Sequence, residues 1–116
     1  MRLNKLVEKY SLASALRGRY LEDGKGELAD EHAKLIFDLK EEILSSQDQE
    51  TIQEFASLMK DPNPYVRVAA ATHLINYHPF QEKAKAVLES EKLDKTNGFA
   101  GPEAMVGLLV MKNIKL

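Results

Sequence analysis

Two prolines set two residues apart, Pro62 and Pro64, limit most strongly what this chain can fold into. Each lacks a backbone donor and restricts the residue before it, so neither a helix nor a central strand continues through them. Asn63 is a good helix N-cap, and Pro64 suits the first helical position, where the missing N–H costs nothing. The sequence therefore predicts a tight turn from Asp61 to Pro64, with a new helix beginning at Pro64.

Apolar residues elsewhere recur at helical spacing. No segment shows sustained alternation with β-branched residues, so we predict no strand. Four helices are expected at about residues 3–20, 27–44, 48–60 and 64–76. A fifth is expected from residue 80 to before residue 96, and a sixth is expected to begin at residue 101. The second is expected to turn inward Leu28, His32, Leu35, Ile36, Leu39 and Ile43. The sixth is expected to bury Met105, Val106, Leu109 and Ile114.

The segment 61–74 resembles the second half of a HEAT repeat, in which an Asp/Pro turn precedes a Val-Arg pair, small alanines and a leucine. The layout also resembles a family of short, uncharacterised bacterial HEAT-like proteins. The resemblance is specific over about residues 52–75, and the sequence contains no second copy of the motif. It implies an all-α, right-handed α-α superhelix of about five to six helices. Residues 1–116 would form one domain, with an N-terminal cap (1–46), a HEAT-like pair (48–76) and C-terminal helices (79–116).

Polar and aromatic residues around this turn are the most distinctive in the chain. Asp61 and Arg67 are expected to form an ion pair, within or between repeats, that fixes the turn; a ligand-binding role is the alternative. Tyr65, Tyr77 and His78 flank the ends of the same helix. Aromatic side chains there would contact a partner or pack at the edge of the core, and the sequence leaves both interpretations open.

Charge is distributed unevenly along the chain, although the formal net charge is only −2. Residues 22–54 carry eleven acids against three lysines. Within the second predicted helix, four acids share a face: Glu27, Glu31, Asp38 and Glu42. They indicate either a well-solvated surface or a basic protein partner.

Catalytic and metal-binding patterns are not found. The chain has no cysteine, and the spacing of His32, His73 and His78 does not suggest a metal site. Glu41 and Glu42 are adjacent, so on a helix their side chains diverge. The Gly24–Gly26 segment lacks the spacing of a phosphate-binding loop. We therefore predict a protein that is not an enzyme, with no catalytic residue, metal or cofactor.

The remaining prediction is a non-catalytic protein-interaction module of the bacterial cytoplasm, with no leader and no membrane span. One alternative is an immunity-type protein that neutralises a basic toxin or nuclease. Another is weak nucleic-acid binding through the basic residues of the first helix: Arg2, Lys5, Lys9, Arg17 and Arg19. Partner and oligomeric state stay open. If Met105, Val106 and Leu109 face solvent, we expect dimerisation through the sixth helix instead.

Overall fold

Six α-helices and two turns of 3₁₀ helix make up the computed structural model, which describes residues 4–111. The helices are α1 (Lys5–Glu22), α2 (Gly26–Ser45), α3 (Gln49–Ser57), α4 (Pro64–Leu74), α5 (Gln81–Leu93) and α6 (Ala100–Leu109). The 3₁₀ turns, Leu58–Lys60 and His78–Phe80, extend α3 and precede α5. The prediction of an all-α fold with six helices is confirmed, and no strand occurs within residues 4–111.

Three helices begin at polar side chains that cap them. The Asn4 carboxamide accepts a hydrogen bond from the Leu6 N–H of α1. Asp48 and Asn63 do the same for α3 and α4, and Pro64 follows as the first residue of α4. Each cap satisfies a donor that the first helical turn leaves free.

The end of α1 depends on a glycine with a positive φ. Gly24 lies at φ 72°, a left-handed conformation that glycine adopts without steric cost. Its N–H donates to the Leu21 carbonyl, and the Lys25 N–H donates to the Tyr20 carbonyl. These two hydrogen bonds form a Schellman motif, which reverses the direction of the chain so that α2 packs along α1.

Helices α1 and α2 pack along each other, and so do α5 and α6, whereas α3 meets α4 mainly through the 3₁₀ turn Leu58–Lys60. Helix α4 lies at the centre, because it also contacts α1, α5 and α6. Its buried side chains include Val66, Ala70, Ala71 and Leu74, so it contributes to the core on several sides. The handedness of the array stays a prediction.

Tyr65 joins α1, α4 and the start of α6 at one point. Its ring packs against Gly18 of α1, so closely that a Cβ at residue 18 would lie 2.2 Å from the ring carbon Cγ. Its hydroxyl donates to the Glu22 carboxylate (3.2 Å) and accepts from the Phe99 N–H (2.9 Å). One side chain of α4 therefore holds the end of α1 and the start of α6.

The prediction for the inward face of α6 was wrong. Met105, Val106 and Leu109 are 55%, 61% and 80% exposed, whereas the buried residues of α6 are Ala100, Gly101, Ala104 and Gly107. The cause is close approach: a Cβ at Gly107 would lie 2.6 Å from Oγ1 of Thr72 in α4. Only small residues fit between the helices, so the large apolar ones face outward. Ile114 lies outside the described residues.

The inward stripe of α2 is narrower than predicted. Ile36, Leu39 and Ile43 are buried, but Leu28 and Leu35 are exposed. Helix α2 packs mainly on one neighbour, α1, so only part of its circumference is covered. His32 is half-buried and lies beside Tyr20, with 5.1 Å between the ring centroids.

Candidate interaction groove

A groove of about 410 Å³ opens on the surface formed by α1, α2, α4 and α6. Direct contacts join these helices in the order α2, α1, α4, α6. Helices α1 and α4 therefore form its floor, and α2 and α6 form its two sides. It is lined by Arg17, Leu21, Ala33, Ile36, Val68, Ala69, Thr72, His73, Phe99, Pro102, Glu103, Val106, Gly107 and Val110.

The lining of the groove is largely apolar and carries no net charge. Its two ionised residues, Arg17 of α1 and Glu103 of α6, form a salt bridge of 2.6 Å with each other. Both side chains are about three-quarters buried, at 27% and 24% exposure. Because each charge already has its counter-ion, the groove offers an apolar surface and not an ion-binding one.

The half-buried His73 and the fully buried Tyr10 form a polar pair at the floor of the groove. The Tyr10 hydroxyl lies 2.6 Å from Nδ1 of His73, and Tyr10 is fully buried against Phe55. Ser14, buried one helical turn further along α1, places a second hydroxyl beside that of Tyr10. Either partner of the Tyr10–His73 bond can donate, according to the tautomer of His73. His73 lines the groove.

Burial keeps both members of this pair neutral. Loss of solvation, followed by the positive charge of Lys40, lowers the pKa of His73 from 6.5 to about 4. Loss of solvation also raises the pKa of Tyr10 well above its ordinary value. A neutral donor and a neutral acceptor at physiological pH serve structure and recognition better than proton transfer, because neither titrates near pH 7.

Acid is expected to destabilise the fold through His73. Between pH 6.5 and 4 the unfolded chain binds a proton at this residue and the folded chain does not, so stability falls as pH decreases. The loss from pH 7 to pH 4.5 should be about 2–3 kcal/mol from this group alone. Urea unfolding of wild-type protein and His73→Gln at both pH values measures it, and the variant should lack this share of the acid sensitivity.

His78→Gln is the matched control for this experiment, because it replaces an exposed imidazole. It should retain the acid sensitivity that His73 contributes, because it leaves His73 and its surroundings unchanged. Equal acid sensitivity of wild type and His73→Gln would contradict the assignment of a partly buried, neutral His73.

Exposed apolar side chains continue the groove on both sides. On α6, Phe99, Val106 and Val110 are each at least half exposed. On α2, the exposed ring of Phe37 lies beneath the Lys40 ammonium, 4.1 Å from it. Large apolar residues clustered around a concavity are typical of a surface that another molecule covers.

Arg67 makes different contacts from those predicted. Its Nε and Nη2 bind the Glu91 carboxylate of α5 at 2.6 Å. Its Nη1 donates to the backbone carbonyls of Asp61 and Pro62, both at 2.9 Å. The Asp61 carboxylate instead accepts from the Asn63 N–H. The expected side-chain ion pair with Asp61 is thus replaced by a pair with Glu91, and Arg67 ties the turn to α5.

The three aromatic candidates lie in different environments. Tyr65 is buried at the junction of α1, α4 and the start of α6, so its ring is not available to a partner. Tyr77 is half-buried and stacks on Phe80, with ring centroids 5.8 Å apart. His78 is exposed. None of the three lines the groove.

The four acids of α2 are all exposed. At about 100° per residue, Glu27, Glu31, Asp38 and Glu42 fall within roughly 60° of one another. Ala33 and Ile36, which line the groove, lie roughly 120–180° around the helix from them. The structure therefore keeps these acids together on one surface, which we call the acidic stripe, and directs it away from the groove.

Two of the basic residues of α1 are paired with acidic residues of the same chain. Arg17 is held by Glu103, and Arg19 lies 3.9 Å from Asp23. Lys5 and Lys9 are exposed. Arg2 lies outside the described residues. This partial neutralisation weakens the electrostatic attraction that nucleic acid requires.

Neither a candidate metal cluster nor a candidate membrane span lies in the described part of the chain. Among residues 4–111, no three His, Cys, Asp or Glu side chains converge as a metal site would require. No helix in the same range is both long enough and apolar enough to span a bilayer.

The groove itself could not be predicted from sequence patterns, because its lining comes from four separate helices. The run of apolar residues at 105–110 was its only local signal.

Comparison with known proteins places the chain in no group. No family model matches it, and searches of curated proteins and of solved structures find no match. The resemblance to HEAT repeats thus stays a prediction based on residues 61–74.

Proposed function

We propose that this chain is a non-catalytic protein-interaction module that binds a partner protein in the groove between α2 and α6. The observation that carries the proposal is the groove itself: about 410 Å³, largely apolar, with its charges already paired. A bacterial cytoplasmic setting is part of the proposal. The lack of cysteine and the resemblance to bacterial HEAT-like proteins support that setting.

The chemistry of the groove favours an apolar segment of a partner, such as one face of an amphipathic helix. Such helices bury side chains spaced three or four residues apart in hydrophobic grooves. The imidazole of His73 and the hydroxyl of Thr72 would supply polar contacts that fix the register. A few polar groups in an apolar site are the usual source of specificity.

A matched pair of substitutions tests the proposal. Ala33→Glu introduces a charge into the α2 side of the groove, and Ala86→Glu introduces the same charge on an exposed position of α5. Partners captured from the native host by the wild-type protein are purified and their affinities measured by calorimetry. Ala33→Glu should weaken binding at least about tenfold, because it places an unpaired charge against apolar surface.

Ala86→Glu should bind as the wild type does, and both variants should keep the helical circular-dichroism spectrum. A purified partner that binds Ala33→Glu as tightly as wild type would show that the groove is not the binding surface. Failure to find any partner by capture and by genetic screening would count against the function as a whole.

The acidic stripe supports a second candidate function, the neutralisation of a basic toxin or nuclease. Its four exposed carboxylates lie close enough to act on one partner. If a basic partner is found, the double reversal Glu31→Lys with Asp38→Lys should slow its association more than Ala33→Glu does. Binding that is insensitive to this reversal would exclude the stripe.

Nucleic-acid binding through α1 is the weakest candidate. It would be strongest at low ionic strength, so a mobility-shift assay at about 50 mM salt tests it under favourable conditions. We expect no shift, because Arg17 and Arg19 are partly neutralised within the fold.

A further inference from the structure

Helix α6 presents an apolar face to solvent along its length. Its exposed apolar side chains, together with the residue before the helix, are Phe99, Met105, Val106, Leu109 and Val110, which are 50–80% exposed. The inward face is formed by small residues that fix α6 against α4 and α5. We call the outward set the α6 face.

We propose that the α6 face binds a second copy of this chain, so that two α6 helices pack together across a twofold axis. Five side chains exposed by half or more leave roughly 500 Å² of apolar surface per copy, the size of patch that marks interaction sites on monomers. The set spans roughly 140° of the helix, so only its complete burial on both copies would reach about 1,000 Å², the lower limit of a specific interface. The surface therefore supports a weak dimer at most.

The charge of the α6 face favours a second copy over a charged partner. Glu103 is the single ionisable residue of α6, and Arg17 of the same chain neutralises it at 2.6 Å. A twofold interface places the same surface on both sides, so an unpaired charge near the axis would lie opposite an identical charge and be repelled by it. This face avoids that repulsion, because its exposed members are apolar.

The position of the α6 face links self-association to the groove. Phe99, Val106 and Val110 belong to both the face and the groove lining. A second copy on α6 would therefore cover one side of the groove, and partner binding would compete with dimerisation. The dimer does not depend on the proposed function, since it requires only the α6 face.

Sedimentation velocity over about 1–300 µM of the full chain tests the proposal, because micromolar dissociation constants are expected at this interface size. The wild type should shift from monomer to dimer across that range. Leu109→Lys places a cation at the end of α6, where the helix dipole favours it, and should weaken dimerisation at least about tenfold. Leu12→Lys, at an exposed apolar site of α1 (64%), should dimerise as the wild type does.

Disulfide trapping gives a second, independent measurement. The chain has no cysteine, so any disulfide in a single-cysteine variant joins two copies. Leu109→Cys should form a covalent dimer under mild oxidation much faster than Leu12→Cys does. Leu109→Cys also keeps the side chain apolar, so the test stands even if Leu109→Lys unfolds.

A wild-type chain that stays monomeric at the highest concentration would overturn the proposal. So would a dimer that Leu109→Lys leaves intact while the variant is folded, or equal trapping rates at residues 109 and 12. None of these results depends on whether a partner binds the groove, because no partner is present in either measurement.

Discussion

Replacing Arg67 with alanine is expected to lower the free energy of unfolding by about 3–5 kcal/mol, the usual cost of breaking a buried ion pair. The Glu91 side chain is only 9% exposed and relies on Arg67 for charge neutralisation. Its one other described partner is the Asn97 amide at 3.3 Å. The substitution also leaves the carbonyls of Asp61 and Pro62 without their donor. Urea unfolding monitored by circular dichroism measures the loss.

Lys92→Ala is the control for Arg67→Ala. Lys92 pairs with Glu89 at 3.0 Å on the more exposed side of α5, where ion pairs contribute little. A change below about 1 kcal/mol is expected there. The double variant Arg67→Leu with Glu91→Leu should recover part of the stability, because no unpaired charge stays buried. If Arg67→Ala costs no more than Lys92→Ala, the pair does not stabilise the turn.

Gly18→Ala is expected to destabilise the fold by about 3 kcal/mol, at the upper end of the cost of overpacking a core. The added methyl would lie 2.2 Å from Cγ and 2.3 Å from Cδ2 of the Tyr65 ring, inside van der Waals contact. Tyr65 has little room to move, because its hydroxyl is bound to Glu22 and Phe99. Thermal and urea unfolding of the variant measure the effect.

Gly26→Ala is a control that makes the same chemical change in open space. Nothing lies within 4 Å of a Cβ at Gly26, and its φ is not positive. Stability should stay the same or rise by up to about 1 kcal/mol, because alanine restricts the unfolded chain. Equal effects of Gly18→Ala and Gly26→Ala would mean that α1 and α4 are not in close contact at Tyr65.

Much of the helical framework could be predicted from local sequence. The prolines at 62 and 64, with Asn63 between them, predicted the start of α4, because capping and proline geometry act within a few residues. Gly24 indicated the break between α1 and α2 for the same reason. These signals depend on backbone geometry alone and need no knowledge of the neighbouring helices.

The inward face of α6 could not be predicted in this way. Hydrophobicity favours burial of Met105, Val106 and Leu109, but contact at Gly107 with Thr72 permits only small residues. The distance between two helices depends on the whole packing arrangement, and periodicity carries no information on it. The partner of Arg67 was missed for a similar reason, since Glu91 is 24 residues away in sequence.

The candidate site shows the same limit. Arg17 and Glu103 lie far apart in the sequence, yet they form one salt bridge in the groove. His73 was considered as a possible metal ligand, and its contact with Tyr10, 63 residues earlier, was not foreseen. Sites assembled from distant segments leave no local pattern.

The bonds of the Tyr65 hydroxyl have a consequence for how the chain opens. In arrays of helical repeats, terminal units fray separately, because each contacts only its nearest neighbour. Here one phenol of α4 is hydrogen-bonded to the end of α1 through Glu22 and to the start of α6 through Phe99. Amide hydrogens at these three places should therefore exchange with similar protection, as one opening unit.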